Sequence, residues 1–282
     1  MSTQITTAFV RQYNKNVEIL SQQEGTVLRN TVRNEKVVGQ FAFFEQISST
    51  AVAAASSRHT ATSLTSTPHA RRRVTPVAYH WADAIDWQDD ARILIDPKSP
   101  YAKNAGYAMG RKMDEVILTA VSGTAYTGVD GASSTSFDSN MIVTISGSAL
   151  TITGMRQAKA KLDGQNIPPM DRYMICHPDR INIDLYAENT IISADYNNNK
   201  VLPNGQIGQF LGFNIVPTTL CPTGTCYFWH KDAMLFVTSK EMTTYIDRRP
   251  DLQQAYQVYV SGMFGATRMN ENGVAKITIT EL

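Results

Sequence analysis

The chain is 282 residues long and carries 26 Lys and Arg against 25 Asp and Glu, a formal net charge of +1. That balance excludes condensation of nucleic acid by a basic tail, which needs many uncompensated cations, and it excludes charge-driven disorder. Charged residues make up only 18% of the chain, below the roughly 25% usual for a soluble globular protein, which points to a surface covered in good part by other chains.

The opening residues, MSTQITTAFV, lack a basic region followed by an apolar one, so no signal peptide is expected. No apolar run reaches the ~18 residues that span a bilayer. A soluble protein kept in a cytosol is expected. Ile5, Phe9, Tyr13, Val17 and Leu20 recur at helical spacing, with Thr6 or Thr7 as N-cap and Gly25 beyond the end, which predicts an amphipathic helix over 5–24.

Residues 36–47 are rich in Val and Phe and read as a strand. From Ser48 to Thr67 every position except Val52, Arg58, His59 and Leu64 is Ser, Thr or Ala, a run that cannot build a core by itself. The chain returns through Arg71, Arg72 and Arg73 into Tyr79, Trp81, Ile85 and Trp87, beside Asp83, Asp86, Asp89 and Asp90. The simplest shape is a long two-stranded ribbon with a small-residue tip. Such a ribbon is marginal alone in water and needs another chain to lie on.

Ser99 as cap and Pro100 at the first helical position open a helix whose apolar face runs from Tyr101 through Ala105, Met109, Met113 and Ile117 to Val121, with Gly123 as its stop. About 23 residues at ~1.5 Å make a rod of roughly 34 Å. Strand Met141–Ile145 follows, then a helix over 152–163 capped by Thr151, a strand Arg172–Cys176 and a helix near 178–187. This alternation suggests an α/β subdomain. Strands are also expected within 203–216, over 227–237 and over 243–247. Tyr256, Val258, Val260, Gly262 and Phe264 share one face of a further strand, and Asn272-Gly273 signals a hairpin into the strand bearing Ala275, Ile277 and Ile279.

Chemistry-bearing patterns are few. The histidines at 59, 69, 80, 177 and 230 form no HExxH or HxH. Cys221 and Cys226, with Cys176 and a histidine, offer the donor types of a Cys₃His zinc site, or Cys221 and Cys226 a cross-strand disulfide. The plain alternative is a hairpin turning at Thr223-Gly224, and no metal or disulfide is assigned. Gly205, Gly208 and Gly212 do not form a phosphate loop and read as backbone-geometry positions. The four aspartates suit a divalent ion less well than an acidic surface between subunits. The three arginines suit carboxylates across a contact better than phosphate. No catalytic residues and no cofactor are expected.

The order of elements, together with TAFVRQYNKNVEILSQQEG, RRRVTPVAYHWADAIDWQD, IDPKSPYAKNAGYAMGRKMDEVI, QFLGFNIVPTTLCP and QVYVSGMFGATRMNENGVAKI, resembles the major capsid proteins of tailed bacteriophages with the Hong Kong 97-type fold. The resemblance implies an α+β chain divided into an N-terminal arm (1–34), an extended loop or β-ribbon (35–96), a peripheral domain with a long spine helix (97–150), an axial α/β domain (151–242) and return strands of the peripheral domain (243–282). It implies arm packing through Phe9, Tyr13, Val17 and Leu20. It also implies intersubunit contacts at Arg71, Arg72, Arg73, Asp83, Asp86, Asp89 and Asp90.

The implied partners are many copies of the same chain in pentamers and hexamers, a separate scaffolding protein, a portal and, as an optional addition, a decoration protein. The shell would enclose double-stranded DNA without binding it specifically, touch no membrane, reside in the virion and assemble in the host bacterial cytoplasm, through a procapsid that expands. A separate scaffold is expected because the chain starts directly with the arm. No lysine lies between Phe41 and Pro97, where cross-linking members carry one, so a non-covalent shell is expected. The alternative is a nanocompartment shell of the same fold holding a cargo enzyme.

Overall fold

A computed structural model describes residues 22–54, 58, 61–62, 64–86, 98–187 and 208–280. The arm helix with Phe9, Tyr13, Val17 and Leu20 lies outside the described residues, as do Asp89 and Asp90. In chain order the strands are β1 (Arg33–Lys36), β2 (Ala42–Ile47), β3 (His69–Val74), β4 (Val77–Ile85), β5 (Ala125–Thr127), β6 (Ser133–Thr135), β7 (Ile142–Ser146), β8 (Arg172–Cys176), β9 (Gln209–Phe210), β10 (Phe213–Pro217), β11 (Thr225–His230), β12 (Met234–Arg249), β13 (Ala255–Arg268) and β14 (Val274–Thr280). Helix α1 spans Lys98–Ser122, after β4, and α2 spans Ile152–Gly164, after β7. Three sheets form, ordered β1-β12-β13-β4, β7-β14-β11-β8-β10-β9 and β2-β3-β5-β6. The architecture is α+β. By its contacts the chain divides into two compact units, one of residues 1–25, 79–111 and 242–262, the other of 26–78, 112–241 and 263–282.

The larger unit is built on the six-stranded sheet. β8 and β10 run parallel, β11 is antiparallel to both β8 and β14, and β14 is parallel to β7. Helix α2 packs on β7 and β14 through Met155, Ala158 and Leu162, all fully buried. Its start follows expectation, since the Thr151 hydroxyl accepts the Gly154 N–H at 3.2 Å and satisfies one of the first-turn donors. Phe213 and Phe228 meet edge-to-face at 5.0 Å in the middle of the core.

In the smaller unit, the first half of α1 is joined by the outer parts of β4, β12 and β13. His80 stacks on Tyr259 and Arg248 lies over Tyr256. The Gln22 side chain bridges Asn104, to which it donates at 2.8 Å, and Arg111, from which it accepts at 2.7 Å. Gly110 is required here, because a Cβ would stand 2.5 Å from the Gly25 backbone.

Several expectations change. Helix α1 begins at Lys98, so Ser99 lies inside its first turn, and Pro100 is tolerated there because first-turn N–H groups have no helical partner. The expected strand 36–47 is two strands, broken around Gly39 at φ +116°. The expected strands 227–237 and 243–247 become β11 and one continuous 16-residue β12, and the expected helix near 178–187 is present, helical from Pro178 and π-helical over Arg180–Leu185. Asn272-Gly273 is not a hairpin turn. Neither residue has positive φ, which that turn type needs, and β13 and β14 enter different sheets. Gly273 instead permits close approach, since a Cβ would stand 2.5 Å from that of Ala233.

Thr223-Gly224 is likewise no hairpin, because β10 and β11 flank β8 on opposite sides. The three cysteines are free and buried. Burial, with Cys176 adding to it and Lys276 opposing, pushes the Cys221 thiol up to about 12. The folded chain therefore disfavours the thiolate. Alkylation by N-ethylmaleimide at pH 8 should modify none of the three without denaturant, and mass spectrometry checks this.

Candidate assembly site at the ribbon base

β2 and β3 pair antiparallel from Ala42 opposite Val74 to Ile47 opposite His69, and Ser48 N–H continues the ladder to Pro68 O at 3.1 Å. The ribbon thus has the expected shape, with one difference. It is not an isolated pair, because β3 also pairs with β5, Arg72 opposite Thr127 and Arg73 opposite Tyr126, and β5 with β6. The base is a four-stranded sheet, and the described residues 49–54 and 64–68 beyond it hold no strand. Val52 and Leu64 among them are 97% and 96% exposed.

Strand alternation sends the three arginines to two faces. Arg71 pairs with Glu45 at 2.7 Å and covers the Phe43 ring. Arg73 lies over Phe41 and Tyr126, 5.2 and 4.9 Å from the ring centroids. Exposed pairs of this kind contribute about 0–1 kcal/mol, so this face presents charge and aromatic surface more than it stabilises the fold. Arg72 points inward and is buried. Its Nη2 lies 3.0 Å from Glu271 Oε1 and its Nε donates to Met269 O at 3.4 Å. Burial lowers its pKa, Glu271 opposes that shift and Arg268 adds to it.

Arg71 and Arg72 thus find carboxylates within the chain, in Glu45 and Glu271. Asp83 and Asp86 stand exposed on and just beyond β4, and Asp83 accepts the Ala84 N–H at 2.8 Å.

Three anchors were not apparent from sequence. Arg268, fully buried, donates Nε to Glu271 at 2.7 Å and Nη1 to Val121 O at 2.6 Å, with further bonds to the carbonyls of Ala120, Gly123 and Thr135. It thereby serves the carbonyls that a helix end leaves without partners. Asp114, 0% exposed, accepts the N–H groups of Val27 at 2.9 Å and Leu28 at 3.1 Å. Trp229 Nε1 donates to Thr31 O at 3.0 Å. The signal that could have found the two charged anchors is an ionisable residue at a core position, Asp114 one helical turn before Ile117 and Arg268 at the end of β13.

A cleft of about 750 Å³ opens between Ser148–Thr151, Arg180–Asp184 and Thr223. Its polar groups are engaged with one another. Arg180 donates to Thr223 O, Ser148 O and Asp184, and Asp184 accepts the Leu150 N–H. Among the described residues no group of His, Cys, Asp and Glu is placed to hold a metal, and no helix is long and apolar enough to cross a membrane.

A ribbon leaving a braced base, a long helix and a six-stranded α/β sheet define a shell-forming tile of the Hong Kong 97 type. The sequence matches the phage capsid protein family over residues 5–281, and the chain belongs to that family. The fold is similar to the capsid of cyanophage P-SCSP1u, with a TM-score of 0.79 and 17% identity over 100% of this chain and 96% of that one. It is similar to a chain of Mycobacterium phage Che8, with a TM-score of 0.73 and 16% identity over 95% and 97%. It also resembles a chain of the mature capsid of bacteriophage PhiM1, with a TM-score of 0.75 and 13% identity over 97% and 92%. Among curated proteins none matches the sequence. The protein is a structural capsid protein of a tailed phage, a major component of the virion shell.

Proposed function

We propose that copies of the chain close into pentamers and hexamers of an icosahedral head that encloses double-stranded DNA, through a procapsid that expands. The observation that carries this reading is the ribbon, braced at its base and exposing Val52 and Leu64 at its far end. A segment that packs on nothing of its own is stable when a neighbour covers it, and repeated heterologous contacts of modest strength become cooperative when a shell closes. In this reading residues 35–96 lie across the next copy, 97–123 form the spine, 151–242 meet at the capsomer centre and 243–282 return to the periphery. The near-neutral charge suits a container that holds DNA without gripping it. A scaffolding protein, a portal and a decoration protein complete the set of partners, with assembly in the host cytoplasm.

Negative-stain imaging of the expressed chain should show closed shells or capsomers. A monodisperse monomer or dimer at assembly concentrations overturns the reading, and protein cargo in place of DNA in particles from infected cells favours the nanocompartment.

Of the proposed intersubunit residues that lie among the described ones, Arg71 and Arg73, with Asp83 and Asp86, keep exposed surface, while Arg72 is buried within the chain. Arg71→Glu with Arg73→Glu should leave the chain folded by circular dichroism, because both side chains are partly exposed, while cutting shell yield at least about tenfold, since opposed like charges cost several kcal/mol at a repeated contact. Unchanged yield removes them from the interface.

A further inference from the structure

Both strands at the ribbon base hold one carbonyl. Gln46 Nε2 on β2 and Arg72 Nε on β3 each donate to Met269 O. Just beyond Met269, Glu271 offers Oε1 to Arg72 Nη2 at 3.0 Å and Oε2 to Arg268 Nε at 2.7 Å. Arg268 in turn holds the carbonyls of Ala120, Val121 and Gly123 at the end of α1. Two buried cations therefore divide one carboxylate. The division leaves a deficit, for Arg72 Nη1 is buried and has no hydrogen-bond acceptor among the described residues, and the Arg72–Glu271 contact is not aligned as a hydrogen bond.

We propose that Glu271 is a shared joint through which the setting of the ribbon is coupled to the hold on the C-terminal end of α1. While Arg72 is seated, the carboxylate is split and Arg268 is held by one oxygen. If the ribbon carries Arg72 away, both oxygens become available to Arg268, the bidentate arrangement that guanidinium and carboxylate favour, and the end of α1 is gripped more firmly. Coupling of this sort is reciprocal. It goes beyond the shell reading, because it is a property of one folded chain.

Amide hydrogen exchange on the full-length chain, in whatever assembly it adopts, tests the joint. Arg72→Met removes the under-satisfied cation and leaves Glu271 with one arginine, a change that buried ion clusters tolerate. Exchange should accelerate at 42–47 and 70–74 and slow by roughly threefold at 119–123, the scale of one hydrogen bond. Glu271→Gln should accelerate both regions by about tenfold, the loss of a bond to a charged group, while residues 172–176 and 274–279 stay protected. Arg71→Met, on the same strand but paired with Glu45, should leave 119–123 unchanged.

Opposite signs at the two regions in Arg72→Met support the joint. Unchanged or faster exchange at 119–123 in that variant overturns it, and so does loosening of one region alone in Glu271→Gln. If Glu271→Gln does not fold, Arg72→Met decides by itself. Since shells are not required, this test stands or falls separately from the shell reading.

Discussion

Trp229→Ala should destabilise the chain by about 3–5 kcal/mol, the usual range for removing a large aromatic from a packed core. Trp229 is fully buried on β11, with β8 on one side and β14 on the other. The substitution also leaves Thr31 O without its donor. For a chain of this size each kcal/mol shifts Tm by about 2–4 °C, so unfolding about 6–20 °C lower is expected. Trp229→Phe separates the two contributions. It keeps most of the volume and loses the indole N–H, so a cost of about 1–2 kcal/mol is expected. Scanning calorimetry of the three chains under one set of conditions checks this, and a Phe variant as damaged as the Ala variant would assign the whole effect to the bond to Thr31.

Asp114→Ala should cost about 3–4 kcal/mol. Its carboxylate accepts two backbone N–H groups, the buried one of Leu28 and the part-buried one of Val27, and hydrogen bonds to a charged group contribute about 1.5–3 kcal/mol each, the part-buried one at the low end. Asp114→Asn retains one carbonyl acceptor and should lose roughly half as much. The damage should appear first as rapid exchange or proteolysis at 26–32, where the chain is fastened to α1. Denaturant midpoints with limited proteolysis measure both effects, and uniform destabilisation without early cleavage at 26–32 would show that Asp114 does not act there.

Elements defined by local signals were legible from the sequence. β8 lies over Arg172–Cys176 as expected, bounded by Asp171 at φ +53° and by His177-Pro178. The Thr151 cap and the inward set Met155, Ala158 and Leu162 follow from helical spacing, and β13 buries Val258, Val260 and Phe264 in alternation. Signals with two physical uses misled. Asn-Gly usually supplies left-handed backbone, whereas Gly273 supplies room beside Ala233. Small residues from Ser48 to Thr67 lie beyond the pairing of β2 with β3, and the described ones among them hold no strand. Pairing of β3 with β5, which follows only after β4 and the whole of α1, has no local mark.

At the candidate site the arginine triplet was visible while its division was not. Strand alternation alone sends Arg72 inward and its neighbours outward, but the choice of face depends on Glu271, near the far end of the chain. Arg268 and Asp114 carry the mark of an ionisable residue at a core position, but the partners that satisfy them are distant in sequence. The carbonyls that Arg268 holds run from Ala120 to Thr135, well before β13. The donors to Asp114, Val27 and Leu28, precede even β1.

The position of β14 has a consequence for how the chain is made. It lies inside the six-stranded sheet, between β7 and β11, with Lys276 opposite both Ile142 and Tyr227. During synthesis, β7 can have no partner in this sheet until Val274–Thr280 emerges from the ribosome. Pairing over such separations is slow, and an open sheet edge invites pairing with other chains. A truncated chain therefore lacks a strand from the interior of its sheet, not an edge, and cannot complete the α/β core. Completing this sheet therefore depends on a strand 128 positions beyond the end of β7.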